Sequence, residues 1–149
     1  MKTITAILIF IISGCNFQTR TNIIDKTALP LINSFFKNIR IKGASFALDE
    51  MISSNPNIDK KDSSTIDLES KIVSINEQSG AFMGYRLLKE RILVDNIGIY
   101  SYLVKYEKKF YRFIFTFYNN GNTIKLYKFL FDDDLDVELE GKKLIRIKL

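Results

Sequence analysis

Tyr100-Ser101-Tyr102-Leu103-Val104-Lys105-Tyr106 and Arg112-Phe113-Ile114-Phe115-Thr116-Phe117-Tyr118, followed by Asn119-Asn120-Gly121, decide the fold of this 149-residue chain. Apolar and polar positions alternate there with the period of a strand, and aromatic and β-branched residues dominate. Twelve of the nineteen Phe and Tyr residues fall between positions 100 and 131, so this segment supplies most of the core. Asn120-Gly121 is a two-residue hairpin signal, because both positions tolerate positive φ. Closing the chain there sets Phe117 opposite Ile124, Phe115 opposite Leu126, Phe113 opposite Lys128 and Tyr111 opposite Leu130. A turn at Lys108-Lys109 sets Tyr106 opposite Tyr111, Val104 opposite Phe113 and Tyr100 opposite Phe117. Both registers place Tyr100, Tyr102, Val104, Tyr106, Phe113, Phe115, Phe117, Ile124, Leu126 and Leu130 on one face.

Downstream, Asp132 to Glu140 also alternates. A loop at Gly141-Lys142-Lys143 would oppose Leu139 to Ile145 and Glu138 to Arg146, which predicts a terminal hairpin with one salt-bridged face. Upstream, three helices are expected. Thr27 is a candidate N-cap with Pro30 in the first turn, Leu31, Ile32, Phe35, Phe36 and Ile39 follow at helical spacing, and Gly43 closes the helix. Phe46, Ala47, Met51 and Ile52 suggest a second helix stopped by Asn55-Pro56. Ser64 with Asp67 has capping-box spacing before the Leu68, Ile72, Ile75 stripe of a third. Helices followed by about five antiparallel strands predict an α+β domain over residues 27–149, with the helices packed on one face of a curved sheet.

The amino terminus has the layout of an export signal: Lys2, then apolar Ile4 to Ile12, then Ser13-Gly14-Cys15. Nine apolar residues reach about 14 Å as a helix, half of a bilayer core of about 30 Å. Ile12-Ser13-Gly14-Cys15 resembles the lipobox of bacterial lipoproteins. The resemblance implies that residues 1–14 are removed as a signal peptide and that Cys15, the one cysteine, is lipidated and becomes the first residue. Each buried methylene contributes about 0.8 kcal/mol, so several acyl chains would hold the protein on the envelope membrane, facing the periplasm or the cell surface. Asn16 to Lys26 then reads as a tether of at most about 40 Å. A plain secretory signal or an uncleaved buried helix is the alternative.

Composition closes several chemistries. Histidine and tryptophan are absent and there is one cysteine, which excludes histidine acid–base catalysis, Cys–His nucleophiles, structural zinc and an intrachain disulfide. After processing, 21 basic residues stand against 17 acidic ones, a net of +4 that argues for no nucleic-acid partner. No cofactor is implied.

The helices and long aromatic strands also resemble the cone-shaped domains of the nuclear transport factor two-like superfamily, over roughly residues 27–149. That resemblance implies a shape more than an activity. Within such a cone Lys128 reads as a cation for an anionic small ligand beside Tyr100, Tyr102, Tyr106 and Tyr111; the favoured alternative is that Lys128 reaches water at a strand end or pairs with a helix carboxylate and that the tyrosines are core. Asp132-x-Asp134-x-Asp136 begins like a calcium loop, but Val137 and Lys143 stand where glycine and glutamate are needed, so a solvated strand is expected. Asp49, Glu50, Asp67 and Glu69 are the candidates for carboxylate chemistry on amphipathic helices. The outer sheet face, expected to carry Phe110, Ile114, Tyr118, Tyr127, Phe129 and Phe131 beside Lys105, Arg112, Thr116 and Lys125, suggests a homodimer or an envelope protein partner. The leading expectation is a non-enzymatic, lipid-anchored ligand- or protein-binding domain. The alternative is a small carboxylate- and tyrosine-dependent enzyme.

Overall fold

The computed structural model describes residues 23–135. Three helices, α1 (Ile23–Lys42), α2 (Ala44–Ser53) and α3 (Ser63–Gln78), precede four strands, β1 (Phe82–Leu93), β2 (Ile97–Tyr106), β3 (Phe110–Asn119) and β4 (Ile124–Asp132). A single 3₁₀ turn, Val94–Asn96, joins β1 to β2. The strands form one antiparallel sheet in the order β1-β2-β3-β4. The architecture is therefore α+β, with helices first. Cys15, the lipobox and the expected terminal hairpin lie outside the described residues.

The stripe that drives α1 begins earlier than Thr27. Ile24, Ala28, Ile32, Phe35, Phe36 and Ile39 are all buried, spaced for one face of a helix. Residues 23–26, read above as tether, belong to this helix, Thr27 lies inside it, and Pro30 stands in its interior rather than in its first turn. Gly43 ends the helix with φ 95°, a left-handed conformation that glycine adopts without a Cβ penalty. Its N–H donates to the Asn38 carbonyl at 3.0 Å. In α2, Phe46 faces solvent under the Lys42 ammonium instead of entering the core. The expected capping box is not formed either: α3 starts after Asp62, and Asp67 pairs with Lys71 at 2.5 Å.

α1 lies across all four strands. Phe35 meets the rings of Phe113, Phe115 and Phe129 with centroids 5.3–6.3 Å apart. Phe36 stacks on Tyr85 at 3.9 Å and meets Tyr102 edge-on at 5.4 Å. Aromatic pairs of this kind add about 0.5–1.5 kcal/mol each to the area they bury. At the start of β2, a Cβ on Gly98 would lie 2.7 Å from Cγ2 of Ile24 and 2.9 Å from the Tyr100 ring, so glycine lets α1 approach the sheet closely.

Both hairpins differ from their expected register. The β2–β3 turn is at Glu107-Lys108, so Val104 pairs with Tyr111, Tyr102 with Phe113 and Tyr100 with Phe115. Backbone N–H groups of Glu107 and Lys108 donate to the carbonyls of Ala81 and Ser79, which docks this turn on the α3–β1 junction. A two-residue slip preserves side-chain parity, and the expected tyrosines and phenylalanines remain inside. The β3–β4 loop holds four residues rather than two: Asn119 pairs with Ile124, and the Asn120 Oδ1 accepts from the N–H groups of Asn122 and Thr123. Asparagine side chains satisfying the loop backbone favour this wider turn.

A further irregularity does change parity. Phe117 pairs with Leu126 but Thr116 pairs with Lys128, which leaves Tyr127 as the extra residue of a β-bulge. Beyond it Phe129 turns into the core and Phe131 packs against it, while Lys128 and Leu130 are exposed. The expectation of Lys128 and Leu130 on the inner face, with Phe129 and Phe131 outside, is thereby corrected. Phe129→Ala should lower the unfolding free energy in urea by about 3 kcal/mol or more. Lys128→Ala should change it by no more than about 0.5 kcal/mol. The opposite ranking would restore the unbulged register.

Candidate functional site

The inner face of the sheet holds the candidate tyrosines, and their hydroxyls are engaged or sealed. Tyr100 is fully buried and donates to Oδ1 of Asp25 at 2.5 Å, joining β2 to the first turns of α1. Tyr111 shares a 2.8 Å hydrogen bond with the Ser79 hydroxyl. Tyr102 packs against Phe36 and Tyr85, and Tyr106 against Phe82 and Tyr111. Burial raises Tyr102 and Tyr106 to about 12 and is also the largest cause of a still higher value at Tyr100, followed by the Asp25 hydrogen bond and charge. These phenols stay protonated at any physiological pH and act as core.

The carboxylate candidates are held on the helices. Asp49 pairs with Lys60, Asp67 with Lys71, Glu69 accepts from the Ser45 hydroxyl and Glu50 from the Asn38 amide. Two acidic residues that sequence reasoning misses lie nearer the sheet. Asp25 falls in the segment read as tether, although Ile24, Ala28 and Ile32 extend the α1 stripe past it. Glu90 pairs with Tyr100 beyond the second of two irregularities in β1, at Phe82/Gly84 and at Leu87/Lys89, each of which exchanges the faces of the strand. Desolvation, then the Asp25 charge, raises the Glu90 carboxyl above its ordinary value. Among the described residues no group of three or more His, Cys, Asp or Glu side chains could hold a metal ion.

The outer face has a different chemistry. Reading across the registers, its first row is Leu93, Ile97, Tyr118 and Lys125; its second is Arg91, Ile99, Thr116 and Lys128; its third is Lys89, Ser101, Ile114 and Leu130. Arg86, Arg112 and Lys105 follow towards the far end. All seven cations of the four strands lie on this face, with Asp132 the one strand carboxylate beside them, 2.8 Å from Arg112. Aliphatic residues run down its middle, cations stand on β1 and β4 at its sides, and Lys105 and Arg112 sit on the central strands at the far end.

Two open hollows flank Tyr127, which the bulge leaves 69% exposed. One, of about 250 Å³, is lined by Ile97, Thr116, Tyr118 and Tyr127. The other, of about 340 Å³, adds polar groups from Asn55, Asn57 and Asn120 and the cation Lys125. The Asn55 Nδ2 donates to the Leu126 carbonyl at 2.8 Å, fixing the α2–α3 loop beside the bulge. The arrangement offers apolar surface, amides and an ammonium group side by side, a setting for a partner that is apolar and anionic at once. Lys128, expected inside a cone with the tyrosines, stands on this outer face and is not brought together with them. The signal for this site is partly visible in sequence as the outer aromatic residues Phe110, Tyr118 and Tyr127. The bulge that turns Phe129 away from it is not.

Comparison of the chain with protein-family models, with curated proteins and with solved structures gives no match.

Alkaline stability reads the inner face directly. An unfolded tyrosine loses its proton near pH 10, whereas Tyr102 and Tyr106 hold theirs to about pH 12 and Tyr100 beyond. Their contribution is fully present below pH 10 and is lost as pH rises through the folded values, by up to about 1.4 kcal/mol per pH unit for each group. Circular dichroism should therefore show a steep loss of melting temperature above pH 10, with phenolate absorbance rising together with unfolding. Tyr100→Phe should cost about 1–3 kcal/mol at neutral pH by removing the donor from buried Asp25. Ionisation of Tyr100, Tyr102 and Tyr106 near pH 10 while the chain stays folded would contradict the burial.

Proposed function

We propose that this chain is an exported lipoprotein, cut before Cys15 and acylated there, whose folded domain is a non-enzymatic binding module at the envelope membrane. One observation carries the binding reading: the two sheet faces are sorted by chemistry. The inner one is filled by Phe35 and Phe36. The outer one pairs seven strand cations with an aliphatic centre and an exposed tyrosine. A small ligand inside a cone finds its place taken by these rings, so recognition belongs to the outer face. Self-association through that face would bring cations against cations, a cost that an anionic partner turns into attraction.

The helix-first order and the packing of α1 on the sheet support the likeness to the cone-shaped superfamily at the level of shape. A second reading, a small carboxylate-dependent enzyme, draws support from Glu90, which faces the helix side of the sheet beside Tyr100 with a raised pKa. The hollows around Tyr127 are on the opposite face, which favours binding.

The anchor reading is tested in the native host by intact-mass analysis and incorporation of labelled fatty acid. Mature protein should begin at Cys15, carry acyl chains and fractionate with membranes, and Cys15→Ser should abolish label and membrane retention together. An uncut, unacylated chain would overturn it. For the binding module, charge reversal at Arg91 and Lys128 in the acylated protein should remove envelope cross-links while leaving membrane retention intact.

A further inference from the structure

The helix face, the helix-surface ion pairs and the Asp25–Tyr100–Glu90 group are accounted for by packing. The end of the outer face around Tyr127 is not. Four features converge there. Tyr127 and Val94 are the most exposed large apolar residues described, at 69% and 81%. Val94 also keeps a φ of 39°, which a β-branched residue adopts only under strain. Lys125 and Lys128 on β4 and Arg91 on β1 stand to either side of the apolar middle formed by Ile97, Ile99 and Tyr118. Finally, the chain enters the domain at this end, because Ile24 packs against Gly98 at the start of β2.

We propose that this end of the sheet docks on an anionic phospholipid surface, with Tyr127, Tyr118 and Val94 at the level of the headgroups and Arg91, Lys125 and Lys128 against the phosphates. Tyrosine suits that depth, since its ring is apolar and its hydroxyl remains wet. Lysine and arginine bury their stems and keep the charge at the phosphate. The hollow with Asn55, Asn57, Asn120 and Lys125 provides donors for a headgroup next to the apolar hollow. The orientation argument rests on the anchor reading of Cys15. Eight residues lie between Cys15 and Ile24, and the nine Cα steps reach about 30 Å when extended. An acyl chain on Cys15 thus keeps this end, rather than the distant Phe110 end, near the bilayer.

An acidic protein would satisfy the cations but would leave no reason for the most exposed apolar side chains to gather where the tether begins. The lipid surface accounts for both.

The test uses the full chain carrying Cys15→Ser, so that binding is read without acylation and any contribution of residues 4–12 is common to all variants. Partition is measured on vesicles of phosphatidylcholine alone and of phosphatidylcholine mixed with phosphatidylglycerol. The parent should prefer the mixed vesicles, and that preference should fall as salt is raised. Each cation near an anionic surface is worth about 1 kcal/mol, so Lys125→Ala with Lys128→Ala should lower partition on mixed vesicles about tenfold or more. Lys37→Ala with Lys108→Ala, the same charge change elsewhere, should leave it unchanged. Tyr127→Ser should weaken binding several-fold with the salt dependence retained.

Equal partition on the two vesicle types, or equal losses in the two lysine pairs, would overturn the proposal. So would indifference to vesicles with salt-sensitive binding to polyglutamate, which would assign the face to an acidic protein. Lys125 and Lys128 lie outside the core, and the salt dependence of the unsubstituted face decides the matter should either variant misfold. An unacylated native chain would end the anchor reading but would leave the vesicle preference standing.

Discussion

Strand parity is the constraint on which the molecule depends. Side chains alternate strictly between the two faces of a sheet, so one extra residue exchanges the faces of everything that follows it. This happens on both outer strands. On β4 the bulge at Tyr127 sends Phe129 inward to Phe35 and turns Lys128 outward. On β1 there are two such shifts, at Met83 and at Leu88, and beyond the second Lys89 and Arg91 face outward while Glu90 points to the helix side. Without the shifts at Tyr127 and Leu88, Lys128, Lys89 and Arg91 would face the helices, where each would need a partner or leave a desolvated charge. The two irregularities therefore produce a dry aromatic interior and a cationic exterior together.

The interior depends on α1. Its paired phenylalanines stand at the centre of the sheet, and around them Tyr100 gives its hydroxyl to Asp25 and Tyr111 shares a hydrogen bond with Ser79, while the Tyr106 hydroxyl is buried without a hydrogen-bond partner. The two hydrogen bonds let Tyr100 and Tyr111 pack into the aromatic interior with their hydroxyls satisfied. α1 is tied at both ends. Near its start Ile24 and Asp25 hold it to β2, and near its end Arg40 lies over the Phe82 ring at 5.6 Å. Among the described residues, the helices cover one surface of the sheet and none lies on the opposite one.

The fold class is legible in the sequence because hydrophobic period is a local signal: helical stripes before Gly80 and two-residue alternation after Ile97. The faces of β2 and β3 are legible for the same reason, since moving their turn from Lys108-Lys109 to Glu107-Lys108 shifts the register by two and preserves parity. The position of Lys128 is not legible. Unbulged alternation places Phe129 and Phe131 outside, and the bulge is settled only by the contact of Phe129 with Phe35, ninety-four positions away in sequence. Glu90 is hidden for the same reason. Asp25 escapes on different grounds, because its polar neighbours outweigh the Ile24, Ala28, Ile32 stripe and make the segment look like tether. The candidate site is half visible, as the outer aromatic residues with Lys125, and half invisible, as Lys128 and the β1 cations Lys89 and Arg91.

On the proposed anchor, the leash and the cationic face divide the work of holding the domain. Fields around exposed charges decay over about 8 Å at physiological ionic strength, well short of a leash of about 30 Å. The face therefore feels the lipid only on contact and cannot draw the domain in from the full reach of its tether. The leash compensates by confining the domain to a shell whose effective concentration is in the millimolar range. At that concentration a handful of cations worth about 1 kcal/mol each is enough to select one orientation without making it permanent. A stronger face would fix the domain flat and deny its surface to anything else. The moderate charge, set beside exposed tyrosine rather than a long apolar wedge, suits a body that must be oriented at a membrane and still be able to leave it.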